Sequence, residues 1–221
     1  MPDPGVLTAR PREPKPGVGA PAGRSALPHG AELYVPPAYD GRSPNALVVA
    51  LHPANAAAER AFKELLPLAD DARLILLAPK SERETWDLVY GGFGADAAAI
   101  DELLADVFRR YRIDPQRVFI SGFSDGASYA LSLGLTNGDL FGAIAAFSPG
   151  FAHTLTRRGK PRVFISHGSA DHVIPIEKTS AQIVPRLRAE GYDVTYREFE
   201  GPHVVPASVA VETVSWLRLC G

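Results

Sequence analysis

The chain has 221 residues, 46% of them apolar and 22% charged, the balance of a globular domain that buries a core without a metal or disulfide staple. Its 23 basic and 25 acidic residues leave a net charge of −2, which argues against a nucleic-acid binder. One cysteine, Cys220, excludes an internal disulfide and a four-cysteine zinc site. No apolar run approaches the ~18 residues of a membrane span, and no secretory leader is recognisable, so a reduced, cytoplasmic setting is expected.

Ten of the 20 prolines fall in residues 1–44. Residues 1–28 read as a Pro/Gly-rich arm, too poor in large apolar side chains to offset its ordering entropy. It has room for a short edge strand around Val6–Ala9. Residues 29–221 read as one domain. Apolar runs predict strands at Leu33–Val35, Ala46–Leu51, Arg73–Ala78, Arg117–Ser121, Gly142–Phe147, Arg162–Ser166 and Val194–Phe199. Several are near-continuous, as in strands buried on both faces of a mainly parallel sheet. Between them, 3.6-residue spacing predicts helices over Ala56–Ala69, Ala95–Tyr111, Ala127–Leu135, Glu177–Glu190 and Ala207–Leu219. The alternation predicts an α/β fold, whose ligands bind at the carboxyl ends of the strands.

Gly122–Phe123–Ser124–Asp125–Gly126 lies between a predicted strand and a predicted helix, the context of a nucleophile elbow. So sharp a turn strains the serine backbone, and glycines at −2 and +2 remove Cβ atoms that would collide. A serine hydroxyl needs a base, and the base needs an orienting acid. Asp171 follows the strand that ends at Ser166, and His203 follows the strand that ends at Phe199. The acid and the base are therefore expected there. His167 reads as a packed strand end. His172, His153 and His29 read as loop or surface residues. Asp101 reads as a helix cap or ion-pair member, and His52 as a loop brace.

The oxyanion hole needs two N–H donors. Asp125, at the start of the helix, supplies one. The other is expected after the strand ending at Leu51. Pro53 has no N–H, so Ala54 is the expected donor, with Asn55 the fallback. Trp86 and Phe93, with Tyr90, are candidates to line a substrate pocket.

Together these motifs resemble the phospholipase/carboxylesterase family of α/β-hydrolases. The segments that carry the resemblance run from ELYVPPAYDG through ALVVALHP, RVFISGFSDGASYAL and VFISHGSADHVIP to the closing GPHVVP. It implies an α/β-hydrolase fold with helices on both faces of the sheet and no large lid. It also implies hydrolysis of small or soluble carboxylic esters without cofactor or metal. Ser124 would attack the acyl carbon, His203 would move the proton and Asp171 would orient the imidazole, while Ala54 and Asp125 would hold the oxyanion. The expected partner is a small-molecule ester; nucleic acid is not expected and oligomeric state is left open. A thioesterase or peptidase using the same three residues is the alternative. So is a silent hydrolase-fold binding protein, favoured by Pro53, where relatives carry glycine.

Overall fold

In the computed structural model, which describes residues 5–14, 21–154 and 156–220, the apolar runs assemble one eight-stranded sheet in the order β1-β2-β4-β3-β5-β6-β7-β8. The strands are β1 (Gly23–Ala26), β2 (Glu32–Val35), β3 (Asn45–Leu51), β4 (Leu74–Ala78), β5 (Ile113–Phe123), β6 (Ala143–Phe147), β7 (Arg162–Gly168) and β8 (Val194–Phe199). β1 and β2 are antiparallel to their neighbours; β3 to β8 pair in parallel.

Side-chain parity along the central strands explains the continuous apolar runs. On β3, Leu47, Val49 and Leu51 face one core layer, while Ala46, Val48 and Ala50 face the other. Each strand must be apolar on both sides because helices cover both. α2 (Ala95–Arg110), α3 (Asp125–Thr136) and α4 (Ser180–Ala189) pack on the first layer. α5 (Ala207–Arg218) packs on the second, with α1 (Leu66–Ala72) beside it. Among the described residues, no helical insertion is built over the carboxyl rim. This is the mainly parallel, doubly covered sheet that the resemblance implies.

Two local expectations are corrected. The helix predicted over Ala56–Ala69 is split into a 3-10 turn at Ala58–Phe62 and α1 from Leu66. Pro67 sits in the first turn of α1, where its missing N–H costs nothing, whereas in the interior of one continuous helix it would lack the N–H that donates to the carbonyl four residues back. The front of the chain also differs. Val6–Ala9 forms no strand; the edge strand is Gly23–Ala26. The N–H groups of Thr8 and Ala9 donate to Asp101 Oδ1, each at 2.8 Å, and that of Leu7 donates to Asn137 Oδ1 at 2.8 Å. Leu7 and Ala9 are buried in the core. Side chains thus take the backbone groups that a strand partner would have taken, and this part of the arm is anchored. Asp101 is that anchor instead of a helix cap.

Candidate active site

The predicted elbow forms at the β5–α3 junction. Ser124 adopts φ 59° and ψ −122°, a left-handed backbone that costs a non-glycine residue energy. Its N–H donates to Phe147 O at 2.9 Å. The flanking glycines are required by close approach: a Cβ on Gly122 would strike the Gly126 carbonyl, and one on Gly126 would strike the Leu51 carbonyl at the end of β3. The elbow is therefore wedged between its own helix and the neighbouring strand, which fixes where Ser124 points.

The acid and the base arrive on adjacent loops. Ala170 N–H donates to Gly201 O and Ser169 N–H to Phe199 O, both at 2.9 Å. Gly168 lets the loops touch, since a Cβ there would strike the Gly201 carbonyl. Across this seam His203 Nδ1 stands 2.6 Å from Asp171 Oδ2. An ionised carboxylate only accepts, so the proton lies on Nδ1 and the neutral ring keeps a lone pair at Nε2. Asp171 Oδ1 accepts the N–H groups of Val173 at 3.0 Å and Ile174 at 2.8 Å. Burial alone would raise this carboxyl, but the Ile174 N–H and the two imidazoles of His203 and His167 outweigh it and hold it below the usual carboxylate value. The His203 ring lies tilted against Phe123, centroids 4.6 Å apart, which places it beside the residue preceding Ser124. Among the described residues, Ser124 Oγ is not hydrogen-bonded. A nucleophile–base contact of this kind often closes only with substrate.

Of the two expected candidates for a second oxyanion donor, Asn55 has its N–H taken by Glu84 O at 2.6 Å, which supports Ala54. The loop that carries Ala54 is braced by His52. Its Nε2 accepts the Ser81 N–H at 3.0 Å and its Nδ1 donates to Pro53 O at 2.7 Å. Both ring nitrogens are thus committed, and burial pushes the imidazole down to about 4; it is no base for Ser124.

The pocket assignment is corrected. Trp86 is fully buried. Its ring lies between His52 and Tyr129, at centroid distances of 4.7 and 5.0 Å, and its Nε1–H donates to His52 O at 2.9 Å. It holds the loop after β3 from inside and cannot meet a substrate. Phe93 packs edge-on against Tyr129, and its ring lies beside Gly5, so it is covered by the front of the chain. Tyr90 is 51% exposed. It lines a cleft of about 330 Å³ with Arg83 and Thr85. Thr85 Oγ1 donates to Asp125 Oδ2 at 2.7 Å, so this cleft begins beside the elbow. Of the three aromatic candidates named from the sequence, Tyr90 lines this cleft.

His172 and His153 are exposed, and His29 pairs with Glu102 at the surface. Among the described residues, no group of three or more His, Cys, Asp or Glu could hold a metal ion, and no helix is long and apolar enough to cross a membrane.

The sequence pattern of the Phospholipase/Carboxylesterase family matches residues 91–213, more than half of the chain. Acyl-protein thioesterase 1 of Gibberella zeae is 32% identical over 100 residues, 40% of this chain and 41% of that protein. The match thus spans less than half the length of that relative. Among solved structures, esterase PE8 superposes with a TM-score of 0.67 at 21% identity, over 90% of this chain and 100% of its own. A Bacillus cereus carboxylesterase superposes with 0.65 at 18% identity, over 86% of this chain and 94% of its own. At these identities the structures show a shared fold.

Proposed function

The chain belongs to the phospholipase/carboxylesterase family of hydrolases, and from that premise we propose that it is a serine esterase acting on small or soluble carboxylic esters through Ser124, His203 and Asp171. The observation that carries the reading is the 2.6 Å contact between His203 Nδ1 and Asp171 Oδ2, next to a serine held at positive φ on a strand–helix elbow.

Ser124 Oγ attacks the acyl carbon while His203 Nε2 takes its proton, and the imidazolium formed is stabilised by Asp171. The carbonyl oxygen becomes an oxyanion that receives the N–H groups of Ala54 and Asp125. Collapse breaks the bond to the leaving alcohol, which takes the proton back from His203. Water then repeats the sequence on the acyl-enzyme and frees the acid and Ser124. Val173, 69% exposed, and Val204, 43% exposed, belong to the two loops that carry Asp171 and His203. They support an open, apolar rim.

A fluorophosphonate probe is expected to label Ser124, and Ser124→Ala to abolish both labelling and p-nitrophenyl acetate turnover. Undiminished turnover in a folded Ser124→Ala protein discards the proposal. The likeness to an acyl-protein thioesterase favours a second reading, a thioesterase on the same residues. Rates on an oxygen ester and a thioester of the same acyl group separate the two.

A further inference from the structure

Asp171 carries a second histidine that the hydrolytic scheme leaves unused. His167, next to last in β7, is fully buried. Its Nε2 lies 2.8 Å from Ile174 O and 3.3 Å from Asp171 Oδ2, and its Nδ1 lies 2.7 Å from Ser180 Oγ at the start of α4. A carbonyl oxygen only accepts, so the proton is on Nε2. Burial holds the imidazole below its usual value despite the Ile174 carbonyl and Asp171, which pull the other way. The ring is therefore neutral near pH 7, and Nδ1 accepts the Ser180 hydroxyl proton. Its partners on both sides fix its tautomer.

The contacts reach both oxygens of the acid. Oδ2, the oxygen that takes His203 Nδ1 at 2.6 Å, also faces the His167 Nε2–H. Oδ1 is held by the Ile174 N–H, and Ile174 is itself held by His167 through its carbonyl. A histidine that served packing alone would need only Ser180 and Ile174. We propose that His167 is a positioning residue for the triad: it locks the Asp171 carboxylate in place and shares its negative charge, thereby setting how tightly His203 holds a proton. This rests on the triad reading above. Among the described residues, the titratable groups that face His167 are Asp171 and His203; α4 presents only the neutral Ser180 hydroxyl.

The sign follows from charge sharing. A carboxylate relieved of one N–H contact concentrates its charge on the other and binds the His203 imidazolium more strongly. The test is the pH profile of kcat/KM for p-nitrophenyl acetate in His167→Leu, His167→Gln and Ser180→Ala, with folding checked by circular dichroism. His167→Leu is expected to lower kcat about ten-fold or more, since a displaced catalytic group is costly, with KM within about two-fold. The acidic limb should move to higher pH. His167→Gln, which restores an N–H near the same place, should recover most of both effects. A folded His167→Leu protein with wild-type kcat and an unmoved acidic limb overturns the inference. Should His167→Leu not fold, Ser180→Ala decides. It keeps the ring and its Ile174 contact but removes the hydroxyl that pins Nδ1, so the ring loosens against Asp171, and the same upward displacement and a several-fold lower kcat are expected; a folded protein with an unchanged profile overturns the inference. The Ser124→Ala control separates the two failures. If it stays active, the triad reading falls. If it is inactive while the His167 and Ser180 variants behave as wild type, only the role of His167 falls.

Discussion

Pro53 has no N–H, and Asn55 gives its own to Glu84, so the proposed mechanism assigns oxyanion binding to Ala54 and Asp125. Replacing Ala54 by proline deletes one donor without adding a polar group. We expect Ala54→Pro to lower kcat about 100- to 1000-fold with little change in KM, the signature of an interaction made in the transition state. Asn55 sits at φ 56°, which glycine adopts freely, so Asn55→Gly should keep kcat within about two-fold. Steady-state kinetics on folded samples checks both; the reverse pattern would move the donor from 54 to 55. At this scale the sequence was legible wherever chemistry depends on chain order. Ser124, Asp171 and His203 each follow the carboxyl end of a strand, and those ends share one rim. Trp86 and Phe93 were misread because an aromatic side chain looks the same in the sequence whether it lines a pocket or fills a core. The contact of His167 with Asp171 depends on how the 171–175 turn folds back, and no spacing encodes that.

At the scale of elements, the site depends on α3 lying directly against the end of β3. Gly126 permits that approach, and a methyl group there would meet the Leu51 and His52 carbonyls. Gly126→Ala should therefore force the helix away from the strand, which costs roughly 1–3 kcal/mol or more as overpacking and displaces Ser124 from His203. Urea unfolding and probe labelling should both register the loss; an unchanged midpoint with full labelling would refute the wedge. The front of the chain gives a contrasting case. Asp101 accepts from the Thr8 N–H, the Thr8 hydroxyl and the Ala9 N–H. Asp101→Ala should free this segment, seen as faster trypsin cleavage after Arg12, while hydrolytic activity persists. Equal cleavage rates would mean that burial of Leu7 alone holds the segment. The strands and most helices could be read from the sequence because two-faced burial and 3.6-residue spacing leave direct compositional traces. The docking of residues 5–10 could not, because single polar side chains on α2 and just beyond α3 create it and proline content pointed the other way.

For the molecule as a whole, the buried histidines set how stability responds to acid. His52 must be unprotonated at Nε2 to accept the Ser81 N–H, and burial lowers it from 6.5 to about 4. Between those values the unfolded chain binds a proton that the folded chain refuses. The contribution is therefore complete above the unfolded value and is lost as pH falls through the folded one. That gap amounts to about 3 kcal/mol, a large share of the roughly 5–15 kcal/mol that stabilises a typical domain. His167 is also lowered by burial and acts in the same direction. Asp171, held low by its N–H and imidazole partners, adds a further loss at more acidic pH. Asp96 acts in the opposite sense, because burial raises its carboxyl, so wild-type slopes alone mix both signs. His52→Gln isolates the histidine, since its amide oxygen can still accept from Ser81 but takes up no proton. Urea unfolding at about pH 7 and about pH 4.5 should show wild type losing more stability than His52→Gln, by up to about 2–3 kcal/mol. Equal losses in the two proteins would show that His52 is not held neutral. The same ring braces the loop that presents Ala54, so protonation of His52 should release the proposed oxyanion donor as well as weaken the fold. In wild type, activity after a brief step to about pH 3, below the folded value of about 4, and back should recover only as fast as the loop is rebuilt around a neutral His52.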